Sequence, residues 1–559
     1  MNKNVIVFYV KEWIDEEDFE TFLKFAKYLG KDNRGSKFVI DVNKLSQSLR
    51  DKKLSSADVI DLMMGYEIEF VNGSLEDVKK LIASYTPTVV FERGLDGVYL
   101  RPNFYISDLI KDLREKHIVD YDREKKVFRI TKPMYFFDVL ETLKRRGVEV
   151  ENRTGIEKEL KLPIRISFKG SLRDYQKEAL DAWRSNGFKG IIALPTGTGK
   201  TVIAVAAIAE LSVRTLVVTY TKEQMFQWGE KIVEFTDIPK SFIGFFYGDE
   251  KRIAPVTIIT YQSAYRYIDS LSHQFSFLIV DEVHHLPAEK FRFIAENTYA
   301  AMRMGLSATV VREDGKHVDL FPLMGGVVYA KTLQELADRG YIAPFKVITV
   351  RVSLTEEEKK KYKELMDRYR KLALGREFQQ ILADAKKGDA SAMEALKIRS
   401  EIRMLIANAK QKIDAIKKIV EDELEKGSKI LIFTQYIEHA KKIAESIGAQ
   451  YVIGELDEGT RKRRLEQFKS GLVKVLVLTT VGDEGIDIPD ANVGIIATGT
   501  GSRRQFIQRL GRILRPLPGK EARLYEVIVK NTFEEAESRK RREALKMLFE
   551  DLIAIGEAY

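Results

Sequence analysis

The chain has 559 residues, a formal net charge of +9 and 45% hydrophobic residues. That length predicts about three to five domains, each able to bury its own core. The absence of cysteine excludes disulfides, thiolate zinc sites and a cysteine nucleophile. The basic balance fits a polyanionic partner such as nucleic acid, although the charge is spread over a large chain. The start lacks a signal core and no apolar run could cross a bilayer, so the sequence predicts a cytoplasmic protein with no membrane partner.

Residues 1 to about 165 alternate apolar strands with amphipathic helices and carry no nucleotide signature. Two stretches, 5–69 and 89–151, follow the same order of strand, helix, polar turn, strand, helix and strand. The pattern predicts an α+β unit at 1–85 and another at 86–165. The first is either a second copy of the other or an unrelated module, because small α+β modules resemble one another.

The stretch 190–211 predicts a phosphate-binding loop between a strand and a helix. An apolar run at 190–193 has the length of a buried strand, LPTGTGKT follows at 194–201, and 202–211 is typical of a helix. Glycines in the loop let backbone N–H groups approach phosphates, while Lys200 would reach the β and γ phosphates and the Thr201 hydroxyl would hold Mg²⁺. The residues predicted to bind the nucleotide here are Leu194, Pro195, Thr196, Gly197, Thr198, Gly199, Lys200 and Thr201.

Beyond the loop, strands alternate with helices in two regions that flank a helical insert. Such alternation predicts parallel sheets covered by helices on both faces. The strands expected are 215–219, 256–260, 277–280 and 302–307 in the first region, and 429–433, 475–479, 493–497 and 523–528 in the second. The fold class is therefore α/β, with domains at 166–352 and 413–559 and an insert at 353–412 that is rich in Lys, Arg, Glu, Leu and Ala.

Acidic residues end the apolar strand at 277–280, where an α/β sheet binds its ligand. Asp281 can orient a Mg²⁺-bound water, and Glu282 can polarise the water that attacks the γ-phosphate. Two of the 6 histidines follow directly, but zinc would need more ligands than they supply. At another strand end, Gly305-Leu306-Ser307-Ala308-Thr309 offers small hydroxyl residues that can link the nucleotide site to a neighbouring domain.

The stretch 505–515, QFIQRLGRILR, places Arg509, Arg512 and Arg515 on adjacent turns of one helix face. Facing a phosphate-binding loop across a cleft, Arg512 and Arg515 would act as arginine fingers that stabilise charge on the transferring phosphoryl group. Without such a loop, a solvated basic face would be the better interpretation.

Four stretches, in this order along the chain, resemble the motifs of superfamily 2 helicases, whose core is two RecA-like domains. They are LPTGTGKT at 194–201, DEVH at 281–284, SAT at 307–309 and QRLGRILR at 508–515. Residues 172–176 and 481–489 resemble nucleotide-contacting motifs of that superfamily, and 216–221, 257–263 and 430–435 resemble motifs that touch the nucleic-acid backbone. The resemblance implies nucleotide contacts by Arg173, Gln176, Gly485 and Asp487, a catalytic role for Gln508 beside the two arginines, and DNA contacts by Thr219, Thr260, Thr434 and Thr479.

Within the superfamily the chain resembles the XPB family. Arg312, Glu313 and Asp314 follow the Ser-Ala-Thr block as in the Arg-Glu-Asp loop of that family, and the insert occupies the place of its thumb module. Residues 86–164 resemble its damage-recognition domain, and the lack of long charged extensions resembles its archaeal or bacterial form. The family implies ATP and Mg²⁺, a monomeric core, 3′→5′ helicase or translocase activity on forked, duplex or single-stranded DNA in repair, and in some prokaryotes a nuclease partner.

Three other functions use the same motifs: an RNA helicase, the translocating subunit of a restriction enzyme, and an ATP-gated clamp that binds DNA with little unwinding. The hypothesis is that ATP closes a cleft between the two RecA-like domains and that hydrolysis reopens it. Arg312 would belong to a wedge or duplex grip, or else form an ion pair with Glu313 or Asp314.

Overall fold

The computed structural model describes residues 5–51, 53–85, 87–94, 96–104, 106–308, 319–342, 344–479, 491–498 and 522–546. The chain forms two compact units, one of Met1–Lys158 with Glu296–Tyr299 and one of Glu159–Ala295 with Ala300–Tyr559. None of the described helices is both long and apolar enough to cross a membrane.

The first unit begins with a sheet in the order β2-β3-β1-β4, whose neighbouring strands are antiparallel. Phe8, Phe22 and Phe38 are fully buried and stack in its core. Its elements are β1 (Val7–Val10), α1 (Glu16–Leu23), β2 (Ala26–Asp32), β3 (Gly35–Ile40), α2 (Val42–Arg50), α3 (Ser56–Gly65), β4 (Ile68–Asn72) and α4 (Leu75–Tyr85).

A second sheet of the same unit has the order β7-β8-β6-β5-β9. Its elements are β5 (Thr88–Gly94), β6 (Gly97–Pro102), α5 (Lys111–Glu115), β7 (Val119–Asp122), β8 (Val127–Ile130), α6 (Phe136–Arg145) and β9 (Glu149–Asn152). The antiparallel arrangement β2-β3-β1 recurs as β7-β8-β6, so by sheet position β1 matches β6 and not the strand at 89–91. The second sheet also contains β5 beside β6, and β9 runs parallel to β5. That 1–85 and 86–165 are two copies of one module therefore stays a prediction.

The first sheet of the second unit is parallel, with the order β12-β13-β11-β14-β15-β10-β16. The strands predicted at 215–219, 256–260 and 302–307 begin and end as expected. Its elements are α7 (Asp174–Ser185), β10 (Lys189–Ala193), α8 (Lys200–Leu211), β11 (Thr215–Thr219), α9 (Lys222–Phe235), β12 (Ile243–Phe246), β13 (Val256–Thr260), α10 (Tyr261–Leu271), β14 (Phe277–Asp281), α11 (Glu289–Glu296), β15 (Met302–Ser307), α12 (Leu320–Met324), β16 (Val327–Ala330) and α13 (Leu333–Asp338). Single 3₁₀ turns occur at Pro133–Tyr135, Lys240–Phe242, Ser272–Gln274 and Val283–His285.

A second parallel sheet follows in the order β17-β22-β21-β18-β20-β19. Together with the first sheet it confirms the predicted α/β class with two RecA-like domains. Its strands and the remaining helices are β17 (Phe345–Val352), α14 (Glu356–Ala373), α15 (Phe378–Lys386), α16 (Ala390–Ala407), α17 (Lys410–Glu425), β18 (Ile430–Thr434), α18 (Ile437–Ile447), β19 (Gln450–Val452), α19 (Glu458–Lys469), β20 (Val475–Thr479), β21 (Val493–Ile496), β22 (Ala522–Val529) and α20 (Phe533–Lys546).

The position of β17 differs from the expected domain 166–352. It pairs with β22 along its whole length, from Phe345 opposite Ala522 to Val352 opposite Val529, and so belongs to the second sheet. The sequence predicted no strand here, and a local apolar pattern would not contain the identity of the neighbouring strand. The helical insert at 353–412 therefore lies between two elements of the second sheet, β17 and β18.

The segment Glu296–Tyr299, between α11 and β15, belongs to the first unit. The Tyr299 ring packs edge-on against Phe136, with ring centroids 5.6 Å apart, and lies in the hydrophobic core of that unit. Lys132 Nζ is 3.5 Å from a carboxylate oxygen of Glu296. A short piece of chain between two nucleotide-site motifs therefore completes the core of the amino-terminal unit.

Candidate nucleotide site

The predicted phosphate-binding loop lies between β10 and α8, as the sequence requires. Gly197 and Gly199 have left-handed φ angles of 83° and 82°, and a Cβ on Gly199 would lie 2.5 Å from Gln176 Nε2. Lys200 Nζ donates to the carbonyl oxygens of Leu194 at 2.8 Å and Pro195 at 3.3 Å. Burial lowers the pKa of Lys200, against the attraction of the Glu282 and Asp281 carboxylates. The loop thus holds a cation in a place from which water is partly removed.

Two buried side chains of α7 donate hydrogen bonds to the backbone of the phosphate-binding loop. The Tyr175 hydroxyl donates to Thr198 O at 2.6 Å, and Gln176 Nε2 donates to the same oxygen at 3.0 Å. Gln176 Oε1 in turn accepts from the backbone N–H of Arg173 at 2.9 Å. The exposed guanidinium of Arg173 donates instead to Tyr341 O at 3.3 Å. In this structure Gln176 therefore supports the loop; its predicted contact with the adenine base stays a prediction. Sequence reasoning missed Tyr175, whose only signal was its place beside Gln176.

Asp281 ends β14 and is held by two donors. Its Oδ2 accepts from Trp228 Nε1 at 2.8 Å, and its Oδ1 accepts from the backbone N–H of Glu282 at 2.9 Å. Burial raises the pKa of Asp281, and the Trp228 hydrogen bond and the charge of Lys200 oppose that rise. Sequence reasoning missed Trp228, because nothing in the pattern of α9 distinguishes it from an ordinary core residue.

Glu282 follows Asp281 in a left-handed conformation, with φ 49°. Through His284 it is connected to Ser307, the last residue of β15. Glu282 Oε2 is 3.3 Å from His284 Nδ1, which lies 2.9 Å from Ser307 Oγ. Ser307 is fully buried, and its carbonyl oxygen accepts from the N–H of Leu194 at 3.0 Å. Ser307 therefore joins the phosphate loop, through its carbonyl oxygen, to His284, through its hydroxyl, inside one domain. The predicted link from the hydroxyl residues at 305–309 to a neighbouring domain stays a prediction.

The donor set fits a phosphate chain that carries Mg²⁺. Over the described part of the chain, His, Cys, Asp and Glu form no group of three or more that could hold a metal ion. Mg²⁺ binds oxygen ligands and commonly uses one or two protein groups, with substrate phosphates and waters for the rest. Thr201 and Asp281 remain the predicted protein ligands.

The four threonines predicted to touch DNA form two matched pairs. Thr219 lies opposite Thr260 at the carboxyl ends of β11 and β13, and Thr434 lies opposite Thr479 at the carboxyl ends of β18 and β20. The two sheets thus place the same residue type at corresponding positions, which the motifs alone did not reveal.

All four threonines are nevertheless buried. Thr260 Oγ1 accepts from the first turn of α10, and Thr434 Oγ1 lies 2.8 Å from both His439 Nδ1 and Thr498 Oγ1. The Thr479 hydroxyl has no hydrogen-bond partner within the residues that the structure describes. Three of the hydroxyls thus make internal contacts, and their contact with DNA stays a prediction.

Eight predicted site residues lie outside the described residues: Arg312, Glu313, Asp314, Gly485, Asp487, Gln508, Arg512 and Arg515.

Comparison with protein families matches two parts of the chain. Residues 169–312 match the family described as type III restriction enzyme, res subunit, and 392–547 match the ERCC3/RAD25/XPB C-terminal helicase family. The DNA 3'-5' translocase XPB2 of Sulfurisphaera tokodaii is 39% identical over 404 residues, which cover 71% of this chain and 90% of that protein.

More distant relatives are longer than the region that they share with this chain. The DNA 3'-5' helicase XPB of Mycobacterium tuberculosis is 32% identical, over 66% of this chain and 63% of that protein. The XPB subunit of general transcription and DNA repair factor IIH of Schizosaccharomyces pombe is 29% identical, over 72% of this chain and 50% of that protein. Among solved structures, the Hef helicase domain of Pyrococcus furiosus is similar with a TM-score of 0.46 and 22% identity, over 66% of this chain and 98% of that chain.

Proposed function

The chain belongs to the XPB family of DNA helicases and translocases, and from this membership we propose that it is a DNA-dependent ATPase. It couples ATP hydrolysis to duplex opening or to 3′→5′ translocation on DNA. Its place of action is the cytoplasm, where prokaryotic DNA lies, and its role is in DNA repair.

One observation supports this proposal best: residues of opposite charge meet at the carboxyl ends of the strands in the first parallel sheet, β12-β13-β11-β14-β15-β10-β16. The phosphate loop follows β10, the acidic pair ends β14, and β15 lies between those two strands. The carboxyl ends of parallel strands meet at the ligand-binding edge of such a sheet. Lys200 begins the helix after β10 and the two carboxylates lie at the end of β14, so a cation and two carboxylates stand at the same ends of the strands. Both carboxylates also act against the lowering of the Lys200 pKa by burial.

Each of these residues has a role that its position supports. Lys200 binds the β and γ phosphates, and Thr201 and Asp281 are the residues that would hold Mg²⁺. The metal, when bound, neutralises charge on the phosphates. Glu282 polarises the attacking water, and His284 orients the Glu282 carboxylate through their 3.3 Å contact.

The second RecA-like domain supplies Arg512 and Arg515 as arginine fingers when the cleft closes on ATP. Gln508 has a catalytic role beside them, and Gly485 and Asp487 are further nucleotide contacts. Backbone contacts on both domains then advance along one strand as ATP is bound and hydrolysed. DNA is the proposed partner. A nuclease as a second, protein partner is a further prediction, which a pull-down with the purified chain would test.

The test compares Lys200→Ala with Lys240→Ala, an exposed lysine of the same domain. We expect Lys200→Ala to reduce DNA-stimulated ATP hydrolysis to background, whereas Lys240→Ala keeps it. Single-stranded DNA, duplex, forked duplex and RNA are compared at two salt concentrations, because phosphate contacts make such affinity depend on salt. Unchanged turnover in Lys200→Ala would refute the site.

Strand-displacement and triplex-displacement assays, run beside the ATPase assay, separate the rival functions. Stimulation by RNA and not by DNA would favour an RNA helicase. Displacement of a triplex strand without separation of a duplex would indicate translocation without unwinding, which the proposed function includes and which the translocating subunit of a restriction enzyme would share. ATP-dependent binding with neither displacement would indicate a clamp.

A further inference from the structure

Three aromatic side chains join the acidic motif to the two helices that start beside the predicted DNA-contact segments. They are Tyr220, Trp228 and Tyr261, which together we call the aromatic bridge. Trp228 and Tyr261 are 2% and 0% exposed, and Tyr220 is half-buried. None of the three was among the predicted site residues, although Tyr220 and Tyr261 lie within the motif segments 216–221 and 257–263.

The first connection runs through α9. Thr221 caps this helix, and its Oγ1 accepts from the N–H of Gln224 at 3.2 Å. Two turns further along, the Trp228 indole N–H donates to Asp281 Oδ2 at 2.8 Å. A helix is a stiff element, so movement of its first turn is carried to Trp228 and from there to the Asp281 carboxylate.

The second connection runs through α10. Thr260 caps this helix and pairs with Thr219 in the sheet. Tyr261, the first residue of the helix, donates from its hydroxyl to the carbonyl oxygens of Asp281 at 3.1 Å and Glu282 at 3.3 Å. One hydroxyl therefore contacts the backbone of both acidic residues.

The third connection is a ring contact. Tyr220 stacks on His285, with ring centroids 4.0 Å apart and planes 9° from parallel. Its backbone N–H donates to Gln224 Oε1 at 3.2 Å, which fixes the turn from which the ring projects. Tyr220 and Tyr261 also meet edge to face at 5.9 Å.

We propose that the aromatic bridge transmits DNA contact at the ends of β11 and β13 to the Asp281–Glu282 pair, and so positions both carboxylates for hydrolysis when DNA is bound. The inference rests on the proposed function. The three side chains of the aromatic bridge are positioning residues, because they act on hydrolysis through Asp281 and Glu282. Coupling of this kind is reciprocal for binding, so nucleotide must also change the affinity for DNA through the same contacts.

The test uses three variants that each delete one chemical group of the bridge: Trp228→Phe removes the indole N–H, Tyr261→Phe removes the hydroxyl, and Tyr220→Leu removes the stacked ring. Two matched controls make the same kind of change away from the bridge. Trp183→Phe removes another buried indole N–H, which donates to Arg303 O, and Tyr267→Phe removes an exposed hydroxyl on the same helix α10.

Two ratios are measured on the full chain. One is ATP turnover with duplex DNA over turnover without it, and the other is the Kd of a labelled duplex without nucleotide over its Kd with a non-hydrolysable ATP analogue and Mg²⁺. Coupling between sites typically amounts to about 5- to 150-fold. We expect each bridge variant to lower both ratios about fivefold or more, and the controls to keep the wild-type ratios.

Wild-type ratios in all three bridge variants would overturn the inference, as would a loss of turnover that leaves both ratios unchanged. If Trp228→Phe fails to fold, Tyr261→Phe, which deletes a single oxygen atom, decides the matter. A wild-type chain that DNA does not stimulate would overturn the proposed function and the bridge with it. Stimulated wild type with equally stimulated variants would overturn the bridge alone.

Discussion

Gln176→Glu should weaken nucleotide binding because Gln176 uses its amide nitrogen as a donor. Its Nε2 donates to Thr198 O at 3.0 Å and lies 3.5 Å from Gly199 O, and the residue is 5% exposed. An ionised carboxylate cannot donate, so the substitution turns an oxygen toward two carbonyl oxygens of the phosphate loop.

The size of the effect follows from the cost of a buried polar group that loses its partner. Thr198 O keeps the hydrogen bond from the Tyr175 hydroxyl, but the new carboxylate oxygen has no donor to share with it. An unsatisfied buried polar group costs about 1–3 kcal/mol, which corresponds to roughly 5- to 140-fold in Kd at about 1.4 kcal/mol per tenfold change. Burial raises the pKa of a carboxyl group, and a protonated carboxyl can donate again. The defect should therefore ease as the pH falls.

The assay is competition against a fluorescent ATP analogue, with ATP and with inorganic tripolyphosphate. If Gln176 acts by supporting the loop, both competitors should lose affinity by the same factor. The matched control is Gln224→Glu, because Gln224 Oε1 accepts from Tyr220 N and Thr221 N and a carboxylate keeps that acceptor. Loss of affinity for ATP with no change for tripolyphosphate would refute the reasoning and favour a direct contact with the base.

Three further predictions concern stability and turnover. Burial raises the pKa of Glu423 but hydrogen bonds, led by those from Arg523, outweigh it and lower the pKa to about 2, from 4.5. The charged Glu423 carboxylate therefore stabilises the fold fully above about pH 4.5, and this stabilisation is lost as the pH falls toward 2. Glu423→Gln should lower the free energy of unfolding by about 3 kcal/mol at pH 7 and by less at pH 4, measured by urea unfolding. Tyr299→Ala should destabilise the amino-terminal unit by about 3 kcal/mol, measured by hydrogen exchange of its strands, because a buried ring leaves a cavity. Arg512→Ala and Arg515→Ala should each lower ATP turnover about 10³- to 10⁵-fold.

The controls follow from the same regions. Glu425→Gln changes an exposed carboxyl on the helix of Glu423, and Tyr121→Ala removes a ring that is 44% exposed in the unit of Tyr299. An equal effect of Glu423→Gln at both pH values would contradict the ion-pair account. Unaltered exchange in Tyr299→Ala would contradict the core contact, and normal turnover in both arginine variants would contradict the cleft.

Local patterns were enough to predict the elements and the order of the site motifs. Strand bounds at 215–219, 256–260, 302–307 and 475–479 follow from short apolar runs between turn residues. The phosphate loop follows equally from its glycines, since Gly199 needs both a left-handed φ and the space where a Cβ would meet Gln176. These features depend on residues that are neighbours in sequence, so one sequence contains them.

Features that depend on distant partners could not be obtained in that way. The pairing of β17 with β22 joins residues about 180 positions apart, and it moves β17 out of the domain that the sequence predicted for its residues. Tyr299 carries no signal that its ring packs in the core of the amino-terminal unit. The threonines of the strand ends were identified, whereas their burial follows from the helices that cover them.

The same division holds for the nucleotide site. Lys200, Asp281 and Glu282 stand in motifs because the chemistry of phosphate transfer requires those residue types at those turns. Trp228 stands in no motif, and the place of Tyr261 within 257–263 does not reveal what its hydroxyl contacts. An indole that meets a carboxylate, or a phenol that meets two backbone carbonyl oxygens, is selected by the packing of two helices against a sheet. Sequence patterns record the shape and chemistry of each segment, and the contacts between segments arise only when their buried surfaces are brought together.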